Sequence, residues 1–305
     1  MIGKICGTGS GIPVKIMDND DLSNMVDTND AWIRERTGVE KRHIAESEST
    51  VSMAVEAGRQ ALAQTGIRPE ELDMIVVSTM SPDAVLPCTA CEVQKAIGAE
   101  GAVCFDLQAA CTGFIFAYNT AQAYIQSNMC RTVLLIGSER LSRLVDWTDR
   151  GTCILFGDGA GAAVLKAAEG RAYLPVSHSD GKKGEALTCD RYIHMDGRAV
   201  FQFAVTRVPE VIREVLTKNE LIMDDVDYFV LHQANRRIVK AVAKRLRQPI
   251  EKFPMNLQEY GNTSSASIPI LLDEMNRSGK LKKGQKLVVA GFGAGLSWGA
   301  SIVEW

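Results

Sequence analysis

The stretch 101–126, GAVCFDLQAACTGFIFAYNTAQAYIQ, changes its hydrophobic period at Cys111, and that change decides the fold. Ala102 to Leu107 reads as a short buried strand. Phe114, Ala117, Tyr118, Ala121 and Tyr124 then recur at helical spacing. Cys111 therefore lies where a strand runs out and a helix begins. A thiol in the first turn of a helix meets unpaired backbone N–H groups and the positive end of the dipole. Both favour the thiolate, the nucleophilic form of cysteine. The competing reading is a buried structural cysteine, the commoner fate of a free thiol.

The rest of the chain sets the context. At 305 residues it is long enough for one large core or two halves. A hydrophobic content of 46% with 23% charged residues is ordinary for a soluble globular protein. A net charge of −3 gives no reason to expect nucleic-acid binding. The opening MIGKICGTGSGIP lacks a basic segment followed by a long apolar run, so no signal peptide is expected. No apolar run reaches the roughly 18 residues of a membrane span. Eight cysteines are far too few for a disulfide scaffold, and the expected compartment is the reducing cytoplasm. Cys88 and Cys91 form a CxxC, but no second pair stands at metal spacing, so they read as packing residues.

The chain is written twice. IRPEELDMIVVST (67–79) and LIMDDVDYFVLHQ (221–233) share an acidic stretch, an Asp and a short apolar strand, with Asp227 following Asp73 at an offset of 154. FDLQAACTG (105–113) matches MNLQEYGNT (255–263) at an offset of 150, and RTVLLIGSE (131–139) matches QKLVVAGFG (285–293) at 154. GDGAGAAVL (157–165) and GFGAGLSWGASIV (291–303) are both Gly-rich turns feeding a last strand. Four matches in one order, three of them at offsets of 150–154, indicate a duplication. Each half then reads strand, helix, strand, helix, strand, helix, strand, strand. That alternation implies an α/β protein with mostly parallel sheets, the halves spanning 1–170 and 171–305 and joined near 166–175. Functional groups are expected between the halves, where strand ends face each other. Cys111 and Asn262 occupy nearly equivalent positions, and His232 closes the second-half strand FVLH.

At these residues the chain resembles the β-ketoacyl-acyl carrier protein synthase III family. Cys111 in AACTGF, His232 in HQANRRI and Asn262 in GNTSSASIP look like that family's Cys-His-Asn set. GTGSGIP, DAWIRERTGVEKRHI, DRGTCILFGDGAGAAVL and GFGAGLSWG extend the likeness nearly end to end. The resemblance implies a thiolase-like fold, two βαβαβαββ halves layered αβαβα. It also implies a decarboxylating condensation of an acyl-CoA primer with malonyl-acyl carrier protein, initiating fatty acid synthesis. Cys111 would hold the acyl group as a thioester. His232 and Asn262 would donate hydrogen bonds to the enolate oxygen left when CO₂ departs. The backbone N–H groups of Cys111 and Ala294 would hold the tetrahedral oxyanion. Trp32, Arg36 and Arg150 match positions that grip the CoA nucleotide. No metal or other cofactor is implied, and a homodimer is.

Other residues carry weaker expectations. The basic helix following His232 is either a solvated face or a dock for the acidic carrier protein, with Arg237 the best single candidate. Leu86 stands where many relatives have Phe, at a place that in the family reaches across the dimer to the acyl pocket. The short stretch 178–201 covers the same pocket. Primer length is thereby left open, as is a related ketide synthase or acyltransferase of a specialised pathway. A cysteine hydrolase needs His placed as a base and water admitted, and the duplicated architecture argues against it. A silent binding protein is opposed by the intact set of Cys111, His232 and Asn262.

Overall fold

Two sheets with a shared strand order frame the molecule. The computed structural model describes residues 1–305. The first half runs β1 (Ile2–Gly11), α1 (Thr50–Ala63), β2 (Met74–Ser78), α2 (Thr89–Ile97), β3 (Val103–Leu107), α3 (Gly113–Gln126), β4 (Thr132–Glu139) and β5 (Gly159–Ala168). Its sheet order is β1-β5-β4-β2-β3. β2 pairs in parallel with β3 and β4, while β5 runs antiparallel to β4 and β1. The second half runs β6 (Val176–Ser179), α4 (Gly197–Lys218), β7 (Tyr228–Leu231), α5 (Arg236–Leu246), α6 (Ser267–Arg277), β8 (Lys286–Gly293) and β9 (Ser297–Glu304). Its order is β7-β8-β9-β6.

Read from the β6 end, the second sheet repeats the first without a partner for β3. The expected third strand is missing because the segment matched to β3 turns early into a short helix, Leu257–Tyr260. The duplication itself is visible in side chains. Asp73 Oδ2 accepts from Arg131 and Thr132 N–H at 2.7 and 2.9 Å, tying the start of β4 beside β2. Its counterpart Asp227 Oδ2 accepts from Lys286 N–H at 2.8 Å and does the same for β8 beside β7.

Three apolar clusters separate the layers. α1 and α2 cover the outer face of the first sheet through Met53, Ala57, Ala61 and Val93. α4 and α5 cover the outer face of the second through Val208, Ile212, Val239 and Val242. Between the sheets α3 and α6 lie side by side, burying Phe114, Ile115 and Ala121 with Ile268, Leu271 and Leu272. The result is the αβαβα layering. No helix is long and apolar enough to cross a membrane.

The layers approach so closely that side chains are excluded at some contacts. A Cβ on Gly161 of β5 would lie 2.5 Å from the Ile270 amide nitrogen of α6. Gly161→Ala should therefore destabilise the fold by about 1–3 kcal/mol through overpacking. Gly181→Ala meets open space with no positive φ and should change stability by less than about 0.5 kcal/mol. Chemical denaturation of both variants checks the contrast, and equal midpoints would contradict it.

Candidate active site

Strand ends deliver the chemistry to one cavity. β3 leads through Ala110, at φ +45°, into a tight turn over Ala110–Thr112 and then α3. This left-handed residue turns Cys111 away from the strand line and into the cavity. β7 ends at Leu231, so His232 is the next residue, its N–H bonded to Ala290 O of β8 at 2.9 Å. Asn262 follows the short helix and is held by a backbone bridge, with its N–H on Leu155 O at 2.8 Å and Gly157 N–H on its own carbonyl at 3.1 Å. Cys111, His232 and Asn262 are 8%, 2% and 7% exposed, and all three line one cavity of about 300 Å³.

The two donors have their other polar atoms occupied. Asn262 Oδ1 accepts from Ser264 N–H at 2.9 Å, which leaves the amide NH₂ for the cavity. His232 Nδ1 lies 2.7 Å from Ser267 Oγ. That hydroxyl accepts from Gln233 N–H at 3.3 Å and meets no acceptor other than Nδ1, so its proton goes there and the ring carries its hydrogen on Nε2. Burial lowers the His232 pKa to about 3, so the imidazole is neutral at pH 7. The site therefore presents two neutral N–H donors, as an enolate oxygen requires.

The thiol contradicts a simple helix-dipole account. Burial pushes the Cys111 pKa up to about 12, the Ser264 hydroxyl pulls it down, and the Glu139 charge raises it further. Moving it from 9.0 to about 12 opposes the thiolate by roughly 4 kcal/mol. A helix N-terminus contributes at most about 2 kcal/mol. The dipole is real but does not win alone.

A Cβ on Gly293 would sit 2.9 Å from the Cys111 nitrogen, so the β8 end lies directly against the Cys111 backbone. Neither Cys111 nor the following Ala294 gives its N–H to a backbone acceptor. Both are free to face an oxyanion.

At the cavity mouth, Asn29 caps the helix Asp30–Arg36 by accepting from Trp32 N–H at 2.9 Å. Trp32 and Arg36 line the mouth. Arg150 lies over the Trp32 ring at 4.8 Å and Arg36 at 5.8 Å, with Arg150 held by the Asp27 carbonyl at 2.8 Å. Arg237 is exposed beside the mouth and stacks on Phe201, a lining residue, at 5.3 Å. The hairpin Leu187–Cys189 and Ile193–Met195 forms one cavity wall. Leu86 is not part of the lining; it is 82% exposed. Cys88 and Cys91 also lie away from the cavity, with sulfurs 3.4 Å apart and both thiols free. Sequence reasoning missed Ser264, Ser267 and Glu139. The serine run after Asn262 and an acid closing the apolar strand LLIGSE were the available signals.

The arrangement, a buried thiol and two neutral N–H donors in one cavity of a thiolase-like fold, suits a condensing enzyme of the acyltransferase class. Family models for 3-oxoacyl-[acyl-carrier-protein] synthase III match residues 105–181 and, for its C-terminal part, residues 216–305. A Clostridium novyi protein named beta-ketoacyl-[acyl-carrier-protein] synthase III is 46% identical over 99% of this chain and 98% of its own. The crystal structure of the Aquifex aeolicus 3-oxoacyl-[acyl-carrier-protein] synthase III superposes with a TM-score of 0.97 at 44% identity, covering 99% and 100% of the two chains. The priming beta-ketosynthase of the R1128 polyketide pathway gives 0.95 at 36% identity, covering 99% and 96%. This chain belongs to the 3-oxoacyl-[acyl-carrier-protein] synthase III family.

The Ser267 hydroxyl fixes the imidazole tautomer, so Ser267→Ala should slow the decarboxylation half-reaction by about tenfold or less, the loss of one hydrogen bond. Because His232 stays neutral down to about pH 3, the parent's decarboxylation profile should show no inflection near 6.5. A rate loss below pH 6.5 would show that the ring titrates normally.

Proposed function

We propose that this chain condenses an acyl-CoA primer with malonyl-acyl carrier protein to give 3-oxoacyl-acyl carrier protein, the initiating step of fatty acid synthesis. The observation that carries the proposal is continuity. One cavity runs from Trp32 and Arg36 at the surface to Cys111, His232 and Asn262 at its floor. Cys111 attacks the thioester carbonyl, the oxyanion rests on the Cys111 and Ala294 N–H groups, and CoA leaves. Malonyl thioester follows through the same mouth. His232 Nε2–H and the Asn262 amide bind the enolate oxygen as CO₂ departs, and the carbanion attacks the acyl-Cys111. Trp32, Arg36 and Arg150 offer an aromatic face and cations to the CoA nucleotide. Arg237 offers a charge to the acidic carrier protein beside the mouth.

A homodimer is supported by the edge of the first sheet. β3 is an edge strand, and Val103 on it is 60% exposed. Asp106 of β3 accepts from Thr89 and Ala90 N–H at 2.8 Å each, which draws the loop carrying Val85 and Leu86 beside that edge. Val85 and Leu86 are 88% and 82% exposed. A bare apolar edge strand is normally covered, and a second copy would cover it and bring Leu86 to the partner's pocket. The eight free thiols support a reducing, cytoplasmic setting. The catalytic division follows the halves, with the nucleophile in 1–170 and the donors in 171–305.

A second reading, a priming ketide synthase of a specialised pathway, draws support from the R1128 likeness. The hairpin wall over the cavity is where primer preference would differ. Incubation with a panel of acyl-CoAs and malonyl carrier protein, with products identified by mass, separates the readings. Short primers yielding 3-oxoacyl carrier protein are expected for fatty acid initiation, and rejection of all short primers would refute it.

Cys111→Ser should abolish the acyl adduct seen by intact-mass analysis after acetyl-CoA, and persistence of the adduct would move the nucleophile elsewhere. His232→Ala and Asn262→Ala should each lower malonyl decarboxylation about 10²–10³-fold while acylation survives in part. Val103→Lys should break the dimer in sedimentation analysis and broaden primer use together. A monomeric parent, or a dissociated variant with the parent's primer profile, would remove Leu86 from the pocket argument.

A further inference from the structure

Glu139 is buried without a cation. It ends β4 with no exposed surface and takes part in no ion pair. Oε2 accepts from Ser81 Oγ at 2.7 Å, Met80 N–H at 3.1 Å and Thr79 Oγ1 at 3.3 Å. Oε1 accepts only from Ser265 Oγ, at 2.8 Å. That hydroxyl has one proton and a second acceptor, the Ser78 carbonyl at 2.9 Å. Oε1 is therefore the less satisfied and more basic oxygen. Next to Ser265 stands Ser264, 1% exposed, at φ +48°, lining the cavity beside Cys111. Its hydroxyl has no hydrogen-bond partner. Ser264 opens the turn Ser264–Ala266, which packs against the Ala110–Thr112 turn that carries Cys111, and its neighbour Ser265 is bonded to Glu139. A buried orphan hydroxyl, one residue from a bound carboxylate and lining the thiol's cavity, calls for explanation.

We propose that Ser264 and Glu139 form a proton relay that receives the Cys111 proton when the nucleophile forms. The inference rests on Cys111 being that nucleophile. The S–H bond breaks, Ser264 Oγ takes the proton, and the Ser264 hydroxyl proton passes to Glu139 Oε1. The sulfur lone pair then attacks the thioester carbonyl, and the departing CoA thiolate takes a proton from solvent. After condensation Cys111 leaves as thiolate and recovers its proton from Glu139 by the reverse route. The relay conserves charge. Ionising Cys111 beside an ionised Glu139 would place two negative charges in a region with no cation, whereas the transfer keeps one.

The network accommodates both states. With Glu139 ionised, Ser265 Oγ donates to Oε1. With Glu139 protonated, Oε1–H donates to Ser265 Oγ, whose own proton turns to the Ser78 carbonyl. Ser265 keeps a partner for its proton in both states, Oε1 in the first and the Ser78 carbonyl in the second. The titratable group facing Glu139 is Cys111; its other neighbours are the hydroxyls of Thr79, Ser81, Ser264 and Ser265 and the Met80 N–H.

The test compares the full-length parent with Glu139→Gln and Ser264→Ala. Alkylation of Cys111 by iodoacetamide is followed by peptide mass between pH 6 and 9.5, with single-turnover acylation by acetyl-CoA and decarboxylation of malonyl carrier protein alongside. The relay requires both variants to lose about 10²-fold in alkylation and acylation at pH 7, the scale of a lost proton acceptor. The deficit should close to within about threefold at pH 9.5, as hydroxide replaces the acceptor, and decarboxylation should fall at least tenfold less than acylation. If Glu139 acts only by its charge, Glu139→Gln removes a repulsion and speeds alkylation at pH 7, which overturns the relay. Parallel loss of decarboxylation and alkylation in both variants, unrelieved at high pH, marks the cluster as structural support and also overturns it. A parent that is never acylated at Cys111 overturns the nucleophile assignment itself, and the relay with it.

Discussion

The two-sided burial of α3 and α6 is the constraint on which the site depends. Both helices are enclosed between the sheets, and α3 buries Phe114, Ile115, Ala117, Tyr118, Ala121 and Ile125 around much of its circumference. Neither helix can slide without opening voids in close packing. The residues at their N-terminal ends inherit that fixity. Cys111 precedes α3 by two residues, and Ser264 to Ser267 lead into α6. The close approach at Gly161, and the contact of Gly293 with the Cys111 backbone, hold the pieces from the other sides. A shift of about 1 Å between reacting groups can reduce rates by 10²-fold, so core packing and catalysis are one requirement here.

Within that frame, orientation comes from atoms that never meet substrate. Asn262 is aligned by a backbone bridge and by Ser264 N–H on its oxygen, His232 by Ser267 on its inner nitrogen. The segment behind Asn262 is clamped by Arg42, a fully buried guanidinium donating to Ile154 O at 3.0 Å and Asn19 Oδ1 at 2.9 Å. Burial lowers the Arg42 pKa to about 10, still charged at pH 7. Such groups desolvate at considerable cost, and a polar network of this kind is worth keeping for the geometry it enforces.

Much of this was legible in residue order. The change of period at Cys111 and the offset of about 150 between halves located the cavity thiol, the duplication and the facing strand ends. Periodicity reports which residues leave water, so it succeeded for the layers. It says nothing about where a hydroxyl points, so Ser267 and Ser264 stayed hidden within a serine run. It also treats an acid at a strand end as an exposed terminus, whereas Glu139 lies under the cavity. The absent third strand of the second half had another cause. A matched LQ pair marks common ancestry, but backbone pairing is local, and Leu257 enters a helical turn where Leu107 still pairs with Ser78. The role foreseen for Leu86 concerns a neighbour that one chain does not contain.

The charge balance of the cavity links the two half-reactions. His232 is neutral, and the lining near Cys111 is largely apolar. With Glu139 ionised, an arriving malonyl carboxylate would face an uncompensated negative charge beyond Ser264. With the thiol proton stored on Glu139, acylation itself discharges the site before the malonyl group enters. The carboxylate would then enter a cavity that solvates it poorly, and its loss as CO₂ would move the negative charge to the enolate oxygen, which the proposed reaction sets on Nε2–H of His232 and the Asn262 amide. One buried acid would in this way set the order of events, with primer first and extender second.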